Sequence, residues 1–194
     1  MSYTKRFVTL FRRPSESVQE IVKYPCFFKT SLVIILCGLG YIIIAELGLF
    51  RSLMPHFIAA YALMFTIIWL LPTVLSLVFF KIIGKRFNTE SYLEASALSI
   101  FSVLTIGFIF LFLFMIYSNL FAEPKRTAYF AMVYYNQWYP LAIIGGIGVV
   151  LLLHRIIIIS RSIVKAKLYQ ILSVWVAAAV ISVYVAYLFF RGWL

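Results

Sequence analysis

The stretch WYPLAIIGGIGVVLLLHRIIII, residues 138–159, has His154 and Arg155 as its only ionisable side chains apart from one tyrosine. About twenty helical residues cross a hydrocarbon core of about 30 Å. The stretch is therefore long enough to span a bilayer, with an aromatic pair, Trp138 and Tyr139, where an outer interface would lie. His154 and Arg155 then lie close to the opposite boundary.

The composition of the whole chain agrees with this. The 194 residues are 64% hydrophobic and only 12% charged. Soluble domains contain about a quarter charged residues, so this chain cannot cover a surface that faces water. The sequence predicts an integral membrane protein.

Five stretches have the length and apolarity of membrane spans. We predict an all-α fold, a five-helix transmembrane bundle in which residues 30–194 form one membrane domain. Residues 1–29 precede it as a cytoplasmic segment. The predicted spans cover residues 30–50, 57–80, 92–117, 138–159 and 168–190.

The basic residues predict the orientation of the bundle. Thirteen of them fall on the side of the N-terminus and four on the other side. By the positive-inside rule the N-terminus is cytoplasmic and the C-terminus is outside. The net charge of +11 is thus explained by orientation and by attraction to anionic lipid headgroups, and it calls for no nucleic acid.

The segment TLFRRPSESVQEIVKYPCFF, residues 9–28, predicts an interfacial helix ahead of the first span. Pro14 suits a first helical turn. Val18, Ile21 and Val22 would place an apolar side on the bilayer while the basic residues meet lipid phosphates. A basic tail without a helix is the alternative.

Arg155 allows several interpretations. It lies near the cytoplasmic boundary, so its guanidinium could reach the headgroups along its apolar stem. It could instead form a buried ion pair with Glu94, at a similar depth at the start of the third span, or serve transport or catalysis. His154 points about 100° away around the helix, which favours a packed, neutral interfacial histidine.

Glu46, in the first span, is a second candidate polar contact within the membrane. It is either a functional carboxylate or an interfacial one near Arg51.

Small residues mark candidate helix-packing faces, within one subunit or between subunits. They are Gly145 and Gly146 in the fourth span and Ala178, Ser182 and Ala186 in the fifth. Pro72 predicts a kink in the second span, with a freed carbonyl satisfied by a neighbour or by Thr73. Gly84 predicts a turn, after which Asn88 or Thr89 caps the third span.

The chain offers little for catalysis. It contains no aspartate and only two histidines. No spacing of histidine, cysteine or carboxylate predicts a zinc or iron site, and no nucleophile elbow or phosphate loop is present. We therefore predict no catalytic, cofactor-binding or metal-binding residues and no cofactor.

Three stretches resemble the YIP domain family, the Ypt/Rab-interacting membrane proteins and their prokaryotic relatives. They are FRRPSESVQEI at 11–21, GKRFNTESYLEASALSIFS at 84–102 and HRIIIISRSIVKAKLYQILSV at 154–174. The Asp-Leu-Tyr-Gly-Pro signature and the long N-terminal region of the eukaryotic members are missing, which favours a prokaryotic-type member.

The resemblance implies a non-enzymatic scaffold or adaptor that binds another membrane protein or a second copy of itself. It also implies a bacterial or archaeal cytoplasmic membrane, with an endomembrane of the endoplasmic reticulum or Golgi as the alternative. The competing hypothesis is a small oligomeric channel or a permease subunit, in which Glu46, Glu94, Arg155 and the break at Pro72 line a hydrated cavity.

Overall fold

The structure is a computed structural model that describes residues 8–9, 12–50, 55–121 and 138–191. Its helices are α1 (Pro14–Lys23), α2 (Phe27–Phe50), α3 (Pro55–Ile82), α4 (Thr89–Phe121), α5 (Trp138–Ile159) and α6 (Leu168–Arg191). A short π-helical turn, Ser160–Val164, extends α5.

Five of these helices, α2 to α6, are long and apolar enough to cross a membrane, which confirms the prediction of an all-helical fold with five candidate spans. The largest disagreement in a boundary is at the end of the third span, predicted at 117 and observed at Phe121. A helix of 33 residues is about 50 Å long, so α4 is longer than a hydrocarbon core is thick.

Helix α4 is the centre of the bundle. It packs against α2, α3 and α5, while α6 packs mainly on α3. In the apolar stretch of α4, 61% of the residues are buried, against 17% in α2 and 28% in α6. The outer helices therefore present most of their apolar surface outward, as a lipid environment requires, and α4 holds the interior together.

The turn between α3 and α4 follows the sequence prediction. Gly84 has a φ of +79°, a conformation that costs glycine little. Asn88 then caps α4, because its Oδ1 accepts a hydrogen bond from the backbone N–H of Ser91 at 3.1 Å. Phe80 and Tyr92 flank the turn with ring centroids 5.8 Å apart, which fixes the angle between the two helices.

Pro72 lies within the continuous helix α3. The hydroxyl of Thr73 donates to the carbonyl of Trp69 at 3.3 Å, in the turn that the proline weakens. The Trp69 indole N–H donates in turn to the carbonyl of Ala97 at 3.1 Å, joining α3 to α4. The region around the proline is therefore fastened by side chains.

Helices α2 and α3 approach closely at Gly38. A Cβ atom placed on Gly38 would clash with Cε1 of the Phe65 ring, whereas one on Gly40 would meet nothing within 4 Å. The absence of a side chain at Gly38 is what lets the Phe65 ring fill the contact.

We predict that Gly38→Ala lowers the free energy of unfolding by about 1–3 kcal/mol, because it overpacks this contact. Gly40→Ala, on the same helix, serves as the matched control and should raise it by about 0.5–1 kcal/mol, because alanine favours the helix. Denaturant unfolding of the purified protein in detergent measures both. In a Phe65→Leu background the cost of Gly38→Ala should shrink, and equal costs in the two backgrounds would contradict the assignment.

Candidate functional site

Within the described residues, a group of polar contacts lies at the end of the bundle that holds α1, the α3–α4 turn at 83–88 and the α5–α6 link at 160–167. We call this end the Gly84 end. Here α1 packs against α4, α5 and the π-helical turn. The Lys85 ammonium donates to the carbonyl of Lys165 at 3.4 Å and so ties the α3–α4 turn to the α5–α6 link.

Helix α1 forms as predicted, but its apolar side packs on protein. Ser17, Val18 and Ile21 have no exposed area, whereas Val22 is half exposed. The expectation that this apolar side faces the bilayer is therefore wrong for Val18 and Ile21. Only residues 24–26 separate α1 from α2, so α1 stays close to the bundle. There it packs against α4 and α5.

Glu94 lies at the junction of α4 with the start of α2, and it is fully buried. Its carboxylate accepts hydrogen bonds from the backbone N–H of Cys26 and, at 3.0 Å, from the hydroxyl of Thr30. Glu90, one turn earlier on α4, accepts from the N–H of Phe27 at 3.4 Å. Two carboxylates of one helix thus cap the N-terminus of another.

This capping has a clear physical basis. The first N–H groups of a helix have no partner within the helix, and the helix dipole makes that end positive. Cysteine is a poor N-cap residue, so Cys26 cannot supply the acceptor itself. A buried carboxylate from α4 supplies both the acceptor and the compensating negative charge.

Arg155 is only 4% exposed, and its Nη1 donates to the hydroxyl of Ser102 on α4. The expectation that its guanidinium reaches the headgroups is wrong. Helical side chains lean towards the N-terminus of their own helix. Because α5 runs towards the Gly84 end, the stem of Arg155 leads back into the bundle.

Glu94 and Arg155 thus both face the interior, but the contacts described for them are with different residues. Ser102 lies eight residues beyond Glu94, which is about 12 Å along the axis of α4. The ion pair between Glu94 and Arg155 stays a prediction.

A row of hydroxyls runs along the buried side of α4. Ser99, Ser102 and Thr105 each donate to a carbonyl of α4 itself, at 2.8, 2.8 and 2.9 Å. The oxygen of Ser102 remains available as an acceptor, and Arg155 uses it. A hydroxyl group in this arrangement accepts a hydrogen bond from a buried cation and adds no second charge.

A second polar cluster, not anticipated from the sequence, joins α3, α4 and α6 around Tyr92. The Tyr92 hydroxyl donates to Ser76 at 2.8 Å. Ser96 and Trp175 are buried beside the same hydroxyl. A serine in an apolar helix was the available signal, but only the packing shows that Tyr92 meets Ser76.

The remaining candidates divide between inside and outside. His154 is exposed, so it is not the packed histidine that we expected. Gly146 is exposed, and a Cβ there would meet nothing within 4 Å, whereas at the buried Gly148 it would lie 3.2 Å from Val103. The side chain of Glu46 and the surroundings of Gly145 lie outside the described part of the structure.

The small residues of α6 serve packing within the subunit. Ala178 is fully buried, Ser182 is 6% exposed and Ala186 is half-buried. Since α6 packs mainly on α3, this stripe meets α3 and is occupied by the chain itself. The face of α6 that remains outward carries larger apolar side chains such as Val180 and Val183.

In the described ranges no three residues among histidine, cysteine and the acids are grouped closely enough to hold a metal ion. No family model, curated protein or solved structure matches the chain. The described residues therefore define a class: an all-helical protein with five helices able to span a membrane.

We predict that Glu94→Ala lowers the free energy of unfolding by about 2–4 kcal/mol, because it strands the buried donors of Cys26 and Thr30. Glu94→Gln keeps a carbonyl acceptor and should cost about 1 kcal/mol through the lost charge. Unfolding in detergent gives these values, and hydrogen exchange of residues 26–30 should accelerate in Glu94→Ala.

Glu90→Gln is the matched control, since Glu90 is exposed and its contact is long; it should change the free energy of unfolding by about 0.5 kcal/mol or less. Equal losses in Glu90→Gln and Glu94→Ala would contradict the capping role.

Proposed function

We propose that this chain is a non-enzymatic membrane scaffold or adaptor of the YIP-domain type that binds another protein within the bilayer. One observation carries the proposal. The three stretches that resemble the family, far apart in sequence, include α1, the first part of α4 and the π-helical turn after α5, and these three elements contact one another. Stretches that pack together as one unit favour a shared structural role over a chance likeness of composition.

The fate of the buried polar groups supports the same proposal. Glu94 caps α2 and Arg155 donates to Ser102, and both contacts join one helix to another. Ser99, Ser102 and Thr105 donate to carbonyls of their own helix. A transport pathway needs polar groups that face a hydrated space, so the contacts favour a scaffold over a channel or permease subunit.

The outward face of α5 is the surface that we assign to the partner. Gly146 has open space beside it, and Val149 and Val150 are exposed nearby. A glycine on an exposed membrane helix lets another helix approach closely. The partner is therefore a membrane protein, which packs a helix with a small-residue face against α5.

The Gly84 end is the cytoplasmic end in this proposal, and the bilayer is the cytoplasmic membrane of a bacterium or archaeon. The exposed arginines and lysines at that end agree with the positive-inside rule.

Site-specific photo-crosslinking in native membranes tests the proposal. A photoreactive residue at Val150, which is 66% exposed, should crosslink a second membrane protein in stoichiometric yield, whereas one at Ile156, which is 4% exposed, should not. Gly146→Leu should reduce the crosslink at least tenfold because it fills the space for the partner helix. Gly40→Leu, a glycine with equally open surroundings on α2, is the control and should leave it unchanged.

Crosslinking to a second copy alone, with ion flux in proteoliposomes that Arg155→Leu abolishes, would overturn the scaffold proposal in favour of an oligomeric channel.

A further inference from the structure

Five basic residues come together at the Gly84 end from two separate segments. Lys85 and Arg86 belong to the α3–α4 turn, and the α5–α6 link contributes Arg161, Lys165 and Lys167. The hydrogen bond from the Lys85 ammonium to the Lys165 carbonyl, at 3.4 Å, holds the two segments side by side. We call these five residues the cationic patch; all are exposed except Lys85, which is half-buried.

The patch is not neutralised from within. In the part of the chain that the structure describes, no carboxylate pairs with any of the five; the one exposed ion pair that it shows, Arg13 with Glu16, lies on α1. The nearest acids along α4 are Glu90 and Glu94, and both turn to the N-terminus of α2. The two segments that carry the five cations are joined by the Lys85–Lys165 hydrogen bond, so the fold maintains a local excess of positive charge.

The conformation of the α5–α6 link adds to this picture. Lys165 has a φ of +52°, a left-handed conformation that costs a non-glycine residue about 1–2 kcal/mol. Glycine is the usual residue where a helix ends in this way. A lysine in this position keeps a cation in the patch at the expense of backbone strain.

The surroundings of the patch are apolar. Ile82 is 72% exposed and Ile83 44% exposed at the end of α3, and Leu168 and Tyr169 are exposed at the start of α6. The apolar stretch of α3 ends at Ile82, that of α5 with its π-helical turn ends at Val164, and that of α6 begins at Leu168. If these stretches cross a bilayer, the cations lie near the lipid headgroups, beside side chains that acyl chains would cover.

Because the cationic patch lies beside exposed apolar side chains, we infer that it binds the headgroup of a membrane phospholipid that carries two negative charges. Several lysines and arginines on two segments suit two phosphate charges better than one. The exposed Ile82, Ile83 and Leu168 receive the acyl chains, which a free phosphate ion does not possess. This site is independent of the protein partner proposed above, because that partner packs on the outward face of α5.

The test uses the full chain in detergent, titrated with cardiolipin, which carries two phosphates, and with phosphatidylglycerol at equal total negative charge. Native mass spectrometry reports the fraction of protein that retains one lipid. We expect preferential retention of cardiolipin. Each cation near the bilayer surface contributes about fivefold to binding, so the triple variant Arg86→Gln, Arg161→Gln, Lys167→Gln should bind cardiolipin about a hundredfold more weakly.

The matched control removes three exposed cations at the two ends of α1 instead, as Arg12→Gln, Arg13→Gln, Lys23→Gln. It should weaken binding about threefold or less, since these residues lie outside the patch. The charge-preserving variant Arg86→Lys, Arg161→Lys, Lys167→Arg should restore retention, which separates loss of charge from loss of folding.

Equal losses in the two triple variants would overturn the inference, because they would show a diffuse effect of net charge. Equal retention of phosphatidylglycerol and cardiolipin would also overturn it. Displacement of cardiolipin by millimolar inorganic phosphate would assign the patch to a soluble anion instead. None of these outcomes alters the crosslinking expected at Val150.

Discussion

The bundle depends on a constraint that every helix faces: the backbone N–H groups of its first turn have no acceptor within the helix and need one from elsewhere. In α2 that acceptor is a side chain from the central helix. Glu94 accepts hydrogen bonds from the backbone N–H of Cys26 and the hydroxyl of Thr30, and Glu90 accepts one from the backbone N–H of Phe27. This contact determines where α2 begins and how it lies against α4. Because α1 is only three residues away, it also determines where α1 packs.

Arg155 shows the same principle with the opposite charge. A buried guanidinium is costly unless its donors are satisfied, and the interior of this bundle offers oxygen atoms on a small-residue face of α4. Serines suit this task because they allow α5 to approach closely and accept a hydrogen bond while donating their own to the helix. The centre of the bundle therefore contains polar groups, and the contacts described for Arg155 and Ser102 are hydrogen bonds to other protein groups.

Features of the fold that depend on local sequence were predictable. The spans follow from length and apolarity, the turn from Gly84 and the cap from Asn88. The environments of individual side chains were not, because they depend on which helices become neighbours. A histidine and an arginine adjacent in sequence have different environments on α5: His154 is exposed and Arg155 is buried. The tilt of side chains towards the helix N-terminus was the one general signal that favoured an inward Arg155.

The glycines give the same lesson. Gly146 and Gly148 look alike in sequence, yet Gly148 packs on Val103 and Gly146 is open. Likewise, Ala178 and Ser182 of α6 are buried within the chain, and α6 packs mainly on α3. A pattern of small residues that is typical of helix association therefore serves packing within one subunit. Which face of a helix is buried depends on the central position of α4. The sequence of a single span does not show that position.

The cap on α2 also has a consequence for biosynthesis. Glu94 follows Cys26 by 68 residues, so α2 is made well before its acceptor exists. At a translation rate of about 5–20 residues per second, the first span waits about 3–14 s for the third. During that interval the start of α2 must rely on water at the membrane surface or on the insertion machinery. The N-terminal part of the protein thus reaches its final arrangement only after the central helix has been synthesised.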